Sequence, residues 1–302
     1  MIIACAGQAV VDLAVTYPGT LVENQKYQAK PLPETAGGPA MTASCALATW
    51  GAQAVLVTHV GDDPRGHMVR DVARSHGVDT SQVMSPEGAR TGYSLIAVNE
   101  DTGARTVFNV PPLKGQGSPR YSGPAPDVIL ADGHELDATM QLIADYPHAA
   151  GVVDAGTCRE STLEVARAVD HLVCSQDFAA QYTGRPIPPL DDAAAVDALV
   201  CDIEGINGAR AVITLGERGV LFRDEDGRAR HLPAYPVTAV DTTGAGDIFH
   251  AGYAWGVARG LGLLDTLRLA SWAAACSVQR PGGLRSVPSA RLMAQVPPLD
   301  AD

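Results

Sequence analysis

Short apolar runs alternate with segments of helical apolar spacing along most of this chain. In the C-terminal half the runs are Val128–Ala131, Gly151–Asp154, Leu172–Ser175 and Ala211–Thr214. The helical patterns among them span about 136–146, 160–168 and 191–206. A regular alternation of buried strand and helix is typical of a parallel sheet with helices on both faces. The pattern therefore predicts an α/β fold with a mostly parallel sheet.

The remaining strands and helices are predicted from the same two patterns, short apolar runs and helical apolar spacing. Strands are predicted at 2–6, 9–15 and 54–59, and helices at 39–50, 64–76, 245–260 and 263–279. A hairpin is predicted from strands at 219–224 and 228–232, because Glu225-Asp226-Gly227 between them is a typical turn sequence.

Two segments, residues 12–36 and 90–112, do not share this alternation. The second contains strand patterns at 92–99 and 104–110, joined by a turn-like sequence at 99–103. We expect an exposed strand at 26–36 in the first segment. We also expect the two segments to pair with each other as a small separate sheet.

Composition and charge narrow the class of protein. The 302 residues suit one large α/β domain, and no low-complexity linker divides the chain. The formal net charge of -12 argues against nucleic acids and anionic membranes as partners, since both repel an acidic protein. No apolar run reaches the about 18 residues that a membrane-spanning helix needs.

Cysteine spacing and missing motifs exclude several further classes. The six cysteines include no Cys-x-x-Cys pair, so a structural zinc site is not expected. Reduced cysteines and an N-terminus without a basic leader-like segment favour a cytoplasmic location. No P-loop, dinucleotide-binding, zinc-protease or serine-hydrolase motif is present.

The most informative stretch is residues 240–251, Val-Asp-Thr-Thr-Gly-Ala-Gly-Asp-Ile-Phe-His-Ala. An apolar segment precedes it and a helical pattern follows, so the Gly-Ala-Gly turn lies at the start of a helix. Main-chain N–H groups there can hold an anion, which the helix dipole also favours. Asp247 follows this turn, where a general base for an attacking hydroxyl would explain a carboxylate beside a phosphate. The same letters also fit a simple helix-capping turn.

Together with a second motif, this stretch resembles the PfkB (ribokinase-like) family of carbohydrate kinases. Asp-Thr-x-Gly-Ala-Gly-Asp before an apolar helix matches the second signature of that family at each fixed position. The first signature is similar to the sequence from Gly37 to Asp63. The resemblance implies a ribokinase-like three-layer α/β/α core within a single domain, residues 1–302. It also implies a small β-sheet lid formed by 12–36 and 90–112.

The activity implied by the resemblance is ATP-dependent transfer of a phosphoryl group to a hydroxyl of a sugar or sugar-like substrate. In this interpretation Asp247 is the general base, and the backbone of Gly244, Ala245 and Gly246 forms the anion hole. Magnesium would accompany ATP. The lid would exclude water, which would otherwise hydrolyse ATP. Lid sheets have exposed edges, so a homodimer through the lid is expected.

The resemblance also implies a set of sugar-binding residues, namely Asp12, Lys26, Gly37, Gly38, Thr42, Asn109, His134 and Asp247. The two oxygens of Asp12 suit a pair of adjacent hydroxyls. The motifs are most similar to those of sulfofructose kinases and ketohexokinase-like members, where Lys26 and Asn109 match sulfonate-binding positions. His134 stands where that subgroup has an arginine, whose fixed two-pronged charge a neutral histidine lacks. A sulfonated ketose, a ketohexose, a ketodeoxy acid and a nucleoside all stay open as acceptors.

The nucleotide is expected at the ends of the later strands. Thr214, Gly216 and Gly219 belong to a Thr-x-Gly-x-x-Gly segment that lines ATP in the family, and Ser175 follows a neighbouring strand. Ser175–Phe178 departs from the Asn-x-x-Glu that organises magnesium in many members. Magnesium would then depend on the ATP phosphates, water and Asp177. This departure raises the alternative of a sugar-binding sensor that has lost catalysis.

Two further loops resemble the monovalent-cation site of the family. One contains Asp241 and Thr243, and the other is a Gly-rich loop that contains Gly282 and Ser286. Potassium is the expected ion, and a purely structural loop explains the same residues equally well.

Overall fold

The computed structural model describes residues 1–102 and 104–302, and the centre of this part is a nine-stranded sheet. Strands are numbered along the chain, and those of the main sheet are β1 (Ile2–Ala6), β5 (Gln53–His59), β6 (Val83–Met84), β9 (Val128–Ala131), β10 (Ala150–Ala155), β11 (His171–Ser175), β12 (Ala211–Thr214), β13 (Val220–Arg223) and β14 (Ala229–Leu232). Their spatial order is β14-β13-β12-β11-β10-β9-β1-β5-β6. Neighbours from β6 to β12 are parallel, whereas β12, β13 and β14 are antiparallel. The predicted mostly parallel sheet is therefore confirmed.

Helices cover both faces of the main sheet. They are α1 (Pro39–Thr49), α2 (Pro64–Ser75), α3 (Leu136–Asp145), α4 (Glu160–Ala168), α5 (Gln176–Thr183), α6 (Ala193–Glu204), α7 (Ala245–Ala258), α8 (Leu263–Ser277) and α9 (Ala290–Met293). Successive strand residues point to opposite faces. In β9, Val128 and Leu130 pack into the core that includes α1, α7 and α8, whereas Ile129 and Ala131 pack into the core that includes α3 to α6. The architecture has the three α/β/α layers that the sequence predicts.

A second sheet contains the two segments that lack the strand–helix rhythm, and we call it the lid sheet. Its strands are β2 (Val10–Tyr17), β3 (Lys30–Pro31), β4 (Thr35–Gly37), β7 (Tyr93–Asn99) and β8 (Arg105–Val110). Strands β2 and β7 pair in parallel, and β7 and β8 pair antiparallel. The two segments therefore pair as expected. Gly103, in the predicted hairpin turn, lies outside the described residues.

Three features of the structure differ from the sequence pattern. The expected strand at 26–36 is replaced by the short β3 and β4. Pro33 lies between them and lacks the N–H group that a strand ladder needs. The pattern does not predict β6 and α9, which are only a few residues long, or the helix α5. Ser175 begins α5 by accepting from the Phe178 N–H at 3.0 Å, and Gly184 ends it with a left-handed φ of 67°.

Candidate active site

The carboxyl ends of the parallel strands bring polar side chains to one edge of the main sheet. Gln8 follows β1, Asp132 follows β9, Asp154 lies near the end of β10, and Ser175 and Thr214 end β11 and β12. Neighbouring strands hold these positions in register, so that Ser175 lies beside Thr214. Because open α/β sheets bind their ligands at this edge, a site is expected here.

Helix α7 begins with the Gly-Ala-Gly turn. Gly244 is its N-cap and has a φ of 76°, a left-handed conformation that residues with a side chain rarely adopt. A Cβ on Gly246 would meet no atom within 4 Å, so the space beside the first turn is open. First-turn N–H groups of a helix have no partner within the helix. The Ala245 N–H, however, donates to the Thr242 carbonyl at 3.2 Å, so this amide is less available to an anion than the sequence suggests.

Asp247 lies in the first turn of α7, partly buried and close to other carboxylates. Burial, together with the negative charges of Asp154 and Asp132, raises the pKa of its carboxyl group to about 7. The nearby His250 and a hydrogen bond from the Thr42 side chain act in the opposite direction on this pKa. A carboxylate whose pKa is near neutrality accepts a proton from a hydroxyl more readily than an ordinary aspartate.

Asp132, Asp154 and Asp247 together form what we call the carboxylate centre. Asp132 is buried, and its carboxylate accepts the backbone N–H groups of Gln8 at 2.8 Å and His134 at 2.9 Å. Burial raises the pKa of Asp132, but His134 and these hydrogen bonds outweigh it and the net shift is downward. Burial and the charge of Asp132 raise the pKa of Asp154 to about 7. The sequence motifs do not point to Asp132 or Asp154; the available signal is an aspartate at the carboxyl end of an apolar strand.

His250 lies one turn further along α7 and is 3% exposed. Its Nδ1 lies 2.7 Å from the Gly246 carbonyl oxygen and 3.4 Å from Asp154 Oδ2. Its Nε2 lies 3.3 Å from the Val173 carbonyl oxygen, and burial lowers the pKa of the ring. The imidazole therefore connects the first turn of α7 to β10 and β11, which helps to position Asp247.

On the lid sheet, three polar residues lie side by side on adjacent strands. Asp12 of β2 pairs with Ser94 of β7, which pairs in turn with Asn109 of β8. Burial raises the pKa of Asp12, and a hydrogen bond from Ser94 partly opposes this shift. A Cβ on Gly37 would lie 2.3 Å from Asp12 Oδ2, so a side chain at this position would displace the Asp12 carboxylate. The predicted substrate residues Asp12, Gly37 and Asn109 are thus brought together.

The start of α1 connects the lid sheet to α7. Gly38 is the N-cap of α1 with a φ of 98°, and a Cβ there would lie 2.6 Å from the Gln8 carbonyl oxygen. Thr42, one turn later, is buried, and its Cγ2 would lie 3.6 Å from a Cβ on Gly244. The two sequence signatures therefore meet in space, with Thr42 beside the first turn of α7.

A cavity of about 410 Å³ lies between the lid sheet and the edge of the main sheet. Ser94 and Asn109 line it from the lid, and His134 and Arg159 line it from the main sheet. Its volume is in the range of small-molecule binding sites. Two of the predicted substrate residues, Asn109 and His134, belong to this lining. The others lie outside it, namely Asp12, Lys26, Gly37, Gly38, Thr42 and Asp247, and of these Lys26 is exposed.

The predicted nucleotide residues lie further along the same edge. Ser175 Oγ donates to the Gly156 carbonyl at 2.8 Å in addition to capping α5, so its hydroxyl already has two local hydrogen bonds. Gly216 and Gly219, with φ of 64° and 92°, shape the turn after β12, next to Thr214. These positions are adjacent through the pairing of β11 with β12.

The two loops predicted to bind a monovalent cation also meet. The Asp241 carboxylate accepts from the Thr243 N–H at 2.9 Å, the Thr243 hydroxyl at 2.7 Å and the Gly282 N–H at 2.8 Å. Ser286 Oγ donates to the Gly283 carbonyl at 2.8 Å. The predicted residues thus form one hydrogen-bonded junction, which we call the loop junction, and their cation role stays a prediction.

The described residues contain neither a further candidate metal site nor a candidate membrane-spanning helix. In the part of the chain that the structure describes, no cluster of three or more His, Cys, Asp or Glu side chains is arranged to hold a metal ion. None of the described helices combines the length and the apolar character needed to cross a membrane. All six cysteines are free thiols.

The chain is similar to known sugar kinases over almost its whole length. The model of the pfkB family of carbohydrate kinases matches residues 2–290. A ribokinase of Haemophilus influenzae is 25% identical over 286 residues, which cover 91% of this chain and 89% of the relative. A deoxyribokinase of Salmonella typhi is 27% identical over 305 residues, which cover 96% of each chain. The structure of Arabidopsis thaliana ribokinase complexed with ribose and ATP is similar with a TM-score of 0.84, at 21% identity and over 97% of each chain.

Proposed function

Because this chain belongs to the PfkB family of carbohydrate kinases, we propose that it phosphorylates a hydroxyl group of a small sugar with Asp247 as the general base. The protein is an ATP-dependent sugar kinase, as are the relatives that match nearly its whole length.

One observation carries the mechanism: Asp247 and the open first turn of α7 occupy the same small space. A sugar hydroxyl held there would give its proton to Asp247 while its oxygen attacks the γ-phosphorus of ATP. The bond from this phosphorus to the β–γ bridging oxygen breaks, and ADP leaves. The N–H groups of Gly244 and Gly246, with the helix dipole, would stabilise the charge on the transferred group. The Ala245 N–H would join them only after its hydrogen bond to the Thr242 carbonyl breaks.

The carboxylate centre places negative charge where the phosphates arrive, so the reaction needs a compensating cation. Mg²⁺ bound with ATP supplies that charge. Because the described side chains form no dedicated metal cluster, phosphate oxygens and water are proposed as its main ligands. The exposed Asp177, in the first turn of α5, is proposed to contact it through water. The loop junction is proposed to bind K⁺ through main-chain carbonyl groups.

The two substrates are proposed to bind on either side of the start of α7. Thr214, Gly216 and Gly219 would line the nucleotide, with Ser175 beside them. On the other side, Asp12 would accept hydrogen bonds from two hydroxyls of the sugar, next to Gly37 and Gly38. Thr42, Asn109 and His134 complete the proposed sugar site. The shared edge of adjacent parallel strands supports this division.

We also propose a homodimer formed through the lid sheet. Leu95 and Phe108 lie opposite each other on β7 and β8, and they are 43% and 55% exposed. Large apolar side chains that lie together at a surface are typical of protein contacts. Sedimentation equilibrium measures the oligomeric state directly.

The proposed activity is tested by ADP release from ATP and Mg²⁺ with purified protein and a panel of acceptors. The panel contains pentoses, ketohexoses, nucleosides and sugar acids, including a sulfonated ketose. We expect ADP release that depends on the acceptor and is confined to one chemical class. Sugar binding by calorimetry without ADP release from any acceptor would favour the sensor alternative, for which the altered Ser175–Phe178 segment is the motivation.

A further inference from the structure

Two basic side chains line the cavity without a role in the proposed mechanism, and we call Lys114 and Arg159 the basic wall. Lys114 lies in the loop after β8 and donates a hydrogen bond to the His134 carbonyl oxygen. Arg159 is the N-cap residue of α4, and its Nη2 lies 3.4 Å from His134 Nδ1. Because both residues contact His134, the two cations lie on the same part of the cavity wall.

Arg159 has more hydrogen-bonding capacity than the protein uses. A guanidinium group has five N–H donors, and here Nη2 donates to the Asp132 carbonyl at 3.0 Å. Its Nε is buried and has no hydrogen-bond partner among the described residues. The ion pairs of the described residues do not include Arg159, although its charge opposes the upward pKa shift of Asp154. A cation partly removed from water without a bound carboxylate is costly, and an anionic ligand removes that cost.

Among the described residues, the one carboxylate that pairs with Lys114 also binds a second side chain. Its Nζ lies 3.3 Å from Oε2 of the buried Glu135, whose Oε1 binds Nδ1 of the buried His59. The Lys114 side chain is half exposed and so reaches the cavity. No ion pair among the described residues joins Glu135 to Arg159, so this carboxylate balances Lys114 but not the second cation of the basic wall. His59 also lines the cavity, and its Nε2 has no hydrogen-bond partner among the described residues.

We infer that the basic wall binds an anionic group of the phosphoryl acceptor, and that the preferred acceptor is an acidic sugar. The inference rests on the proposed kinase function, because it names the class of sugar that the same site accepts. The anionic group is a carboxylate, a sulfonate or a phosphate ester, all of which match the planar fork of arginine. Lys114 adds a point charge, and the group lies apart from the hydroxyl that receives the phosphoryl group.

The residues proposed to bind the anionic group of the sugar differ from those that the family resemblance implies. The sequence resemblance places a sulfonate contact at Lys26, which is exposed and outside the cavity lining. Lys114 and Arg159 are far apart in sequence, but the lid sheet and the main sheet bring them to one wall. His134, between them, binds both without adding a fixed charge of its own.

The experiment compares acceptors that share a carbon skeleton but differ in charge. They are a ketohexose, the same ketohexose with a sulfonate or a phosphate ester at C6, and a six-carbon keto acid. The kcat/KM for ADP release is measured with each acceptor at saturating ATP and Mg²⁺. We expect the wild-type chain to prefer one of the anionic acceptors, and the preferred member identifies the carboxylate, the sulfonate or the phosphate as the group bound.

Variants of the basic wall test its role directly. In Arg159→Gln, we expect kcat/KM for the anionic acceptor to fall about 10- to 100-fold, the effect of losing a charge-assisted hydrogen bond, mainly through KM. Arg159→Lys keeps the charge but not the fork, so its loss is smaller. Arg167→Gln, an exposed arginine on the same helix, is the matched control. Lys114→Gln is compared in the same way with Lys30→Gln on the lid sheet.

The outcomes separate this inference from the kinase function itself. Turnover of neutral sugars in preference to all anionic ones overturns the inference and leaves the kinase function intact. An equal loss with neutral and anionic acceptors in Arg159→Gln does the same, provided that ADP still raises the thermal unfolding midpoint of the variant. If Arg159→Gln loses this ADP response, the same comparison of neutral and anionic acceptors is made with Arg159→Lys and Lys114→Gln. Absence of turnover with every acceptor contradicts the proposed function.

Discussion

The carboxylate centre and the basic wall lie at the same sheet edge but have opposite charge and different surroundings. In the carboxylate centre, three aspartates approach one another, and burial raises the pKa of Asp154 and Asp247 to about 7. In the basic wall, Lys114 and Arg159 line an open cavity. Lys114 pairs with the carboxylate of Glu135, and no ion pair among the described residues includes Arg159. Hydrogen bonds through Asp132 and His134 connect the two regions.

This difference indicates that the carboxylate centre serves the chemical step and that the basic wall serves substrate binding. Crowded, buried carboxylates make a stronger proton acceptor near neutral pH, which serves a chemical step. Cations at a cavity wall hold an anion in place but take no part in proton transfer. Changes in the carboxylate centre should therefore act mainly on kcat, and changes in the basic wall mainly on KM.

The largest expected effect comes from Asp247→Asn. An amide cannot accept the proton, so we expect kcat to fall by about 10²- to 10⁴-fold with little change in KM. Steady-state kinetics with a saturating acceptor measures both values. Asp265→Asn is the control, because Asp265 also lies in a first helical turn but its side chain is 65% exposed. Turnover near the wild-type rate in Asp247→Asn would remove this residue from the mechanism.

A smaller effect is expected on the pH dependence of kcat/KM, and Asp154→Asn should shift that dependence. The base must be ionised, so kcat/KM should rise with pH through about 7, the raised pKa of Asp247. Removing the negative charge of Asp154 lowers the pKa of Asp247, so this rise should move about one pH unit lower. At pH 6 the variant would keep a larger share of its maximal rate than the wild type. An unchanged profile, or the same shift in the exposed control Asp145→Asn, would contradict this coupling.

The smallest effect is expected from salt. The Debye length falls from about 30 Å at 0.01 M to about 3 Å at 1 M, so added salt weakens the attraction of the basic wall for an anion. We expect KM for an anionic acceptor to rise about threefold over this range, with kcat nearly constant. Saturating MgATP and a neutral acceptor provide the control. Equal salt sensitivity of KM for both acceptors would mean that the wall does not distinguish their charge.

The main sheet could be predicted well because its strands are buried on both faces. Such strands are continuous apolar runs, and β9 and β12 lie at the residues that the pattern predicts. The lid sheet is harder to predict, because its strands are exposed on one side and prolines interrupt the segment 26–36. The helix α5 is short, and the sequence pattern around its capping residue Ser175 does not indicate a helix.

The residues of the candidate site also differ in how well the sequence predicts them. Asp247 and the Gly244–Gly246 turn are contiguous, so local sequence suffices to place a carboxylate at a helix start. Asp12 and Asn109 depended on the family resemblance, and strand register brings them to neighbouring positions. Asp154, His250 and Arg159 belong to three different elements, and no short motif connects them.

By itself, then, the sequence determined the layered α/β fold, the kinase family and the helix start that holds Asp247. These depend on apolar periodicity and on contiguous residues, which a single chain displays directly. Only the tertiary structure decided which distant charges come together. The parallel register gathers Asp132 and Asp154 beside Asp247, and the packing of the lid sheet sets Lys114 beside Arg159 while leaving Lys26 exposed. Charge proximity across elements arises from folding, because residues far apart in sequence interact only where the backbone brings them within a few ångströms.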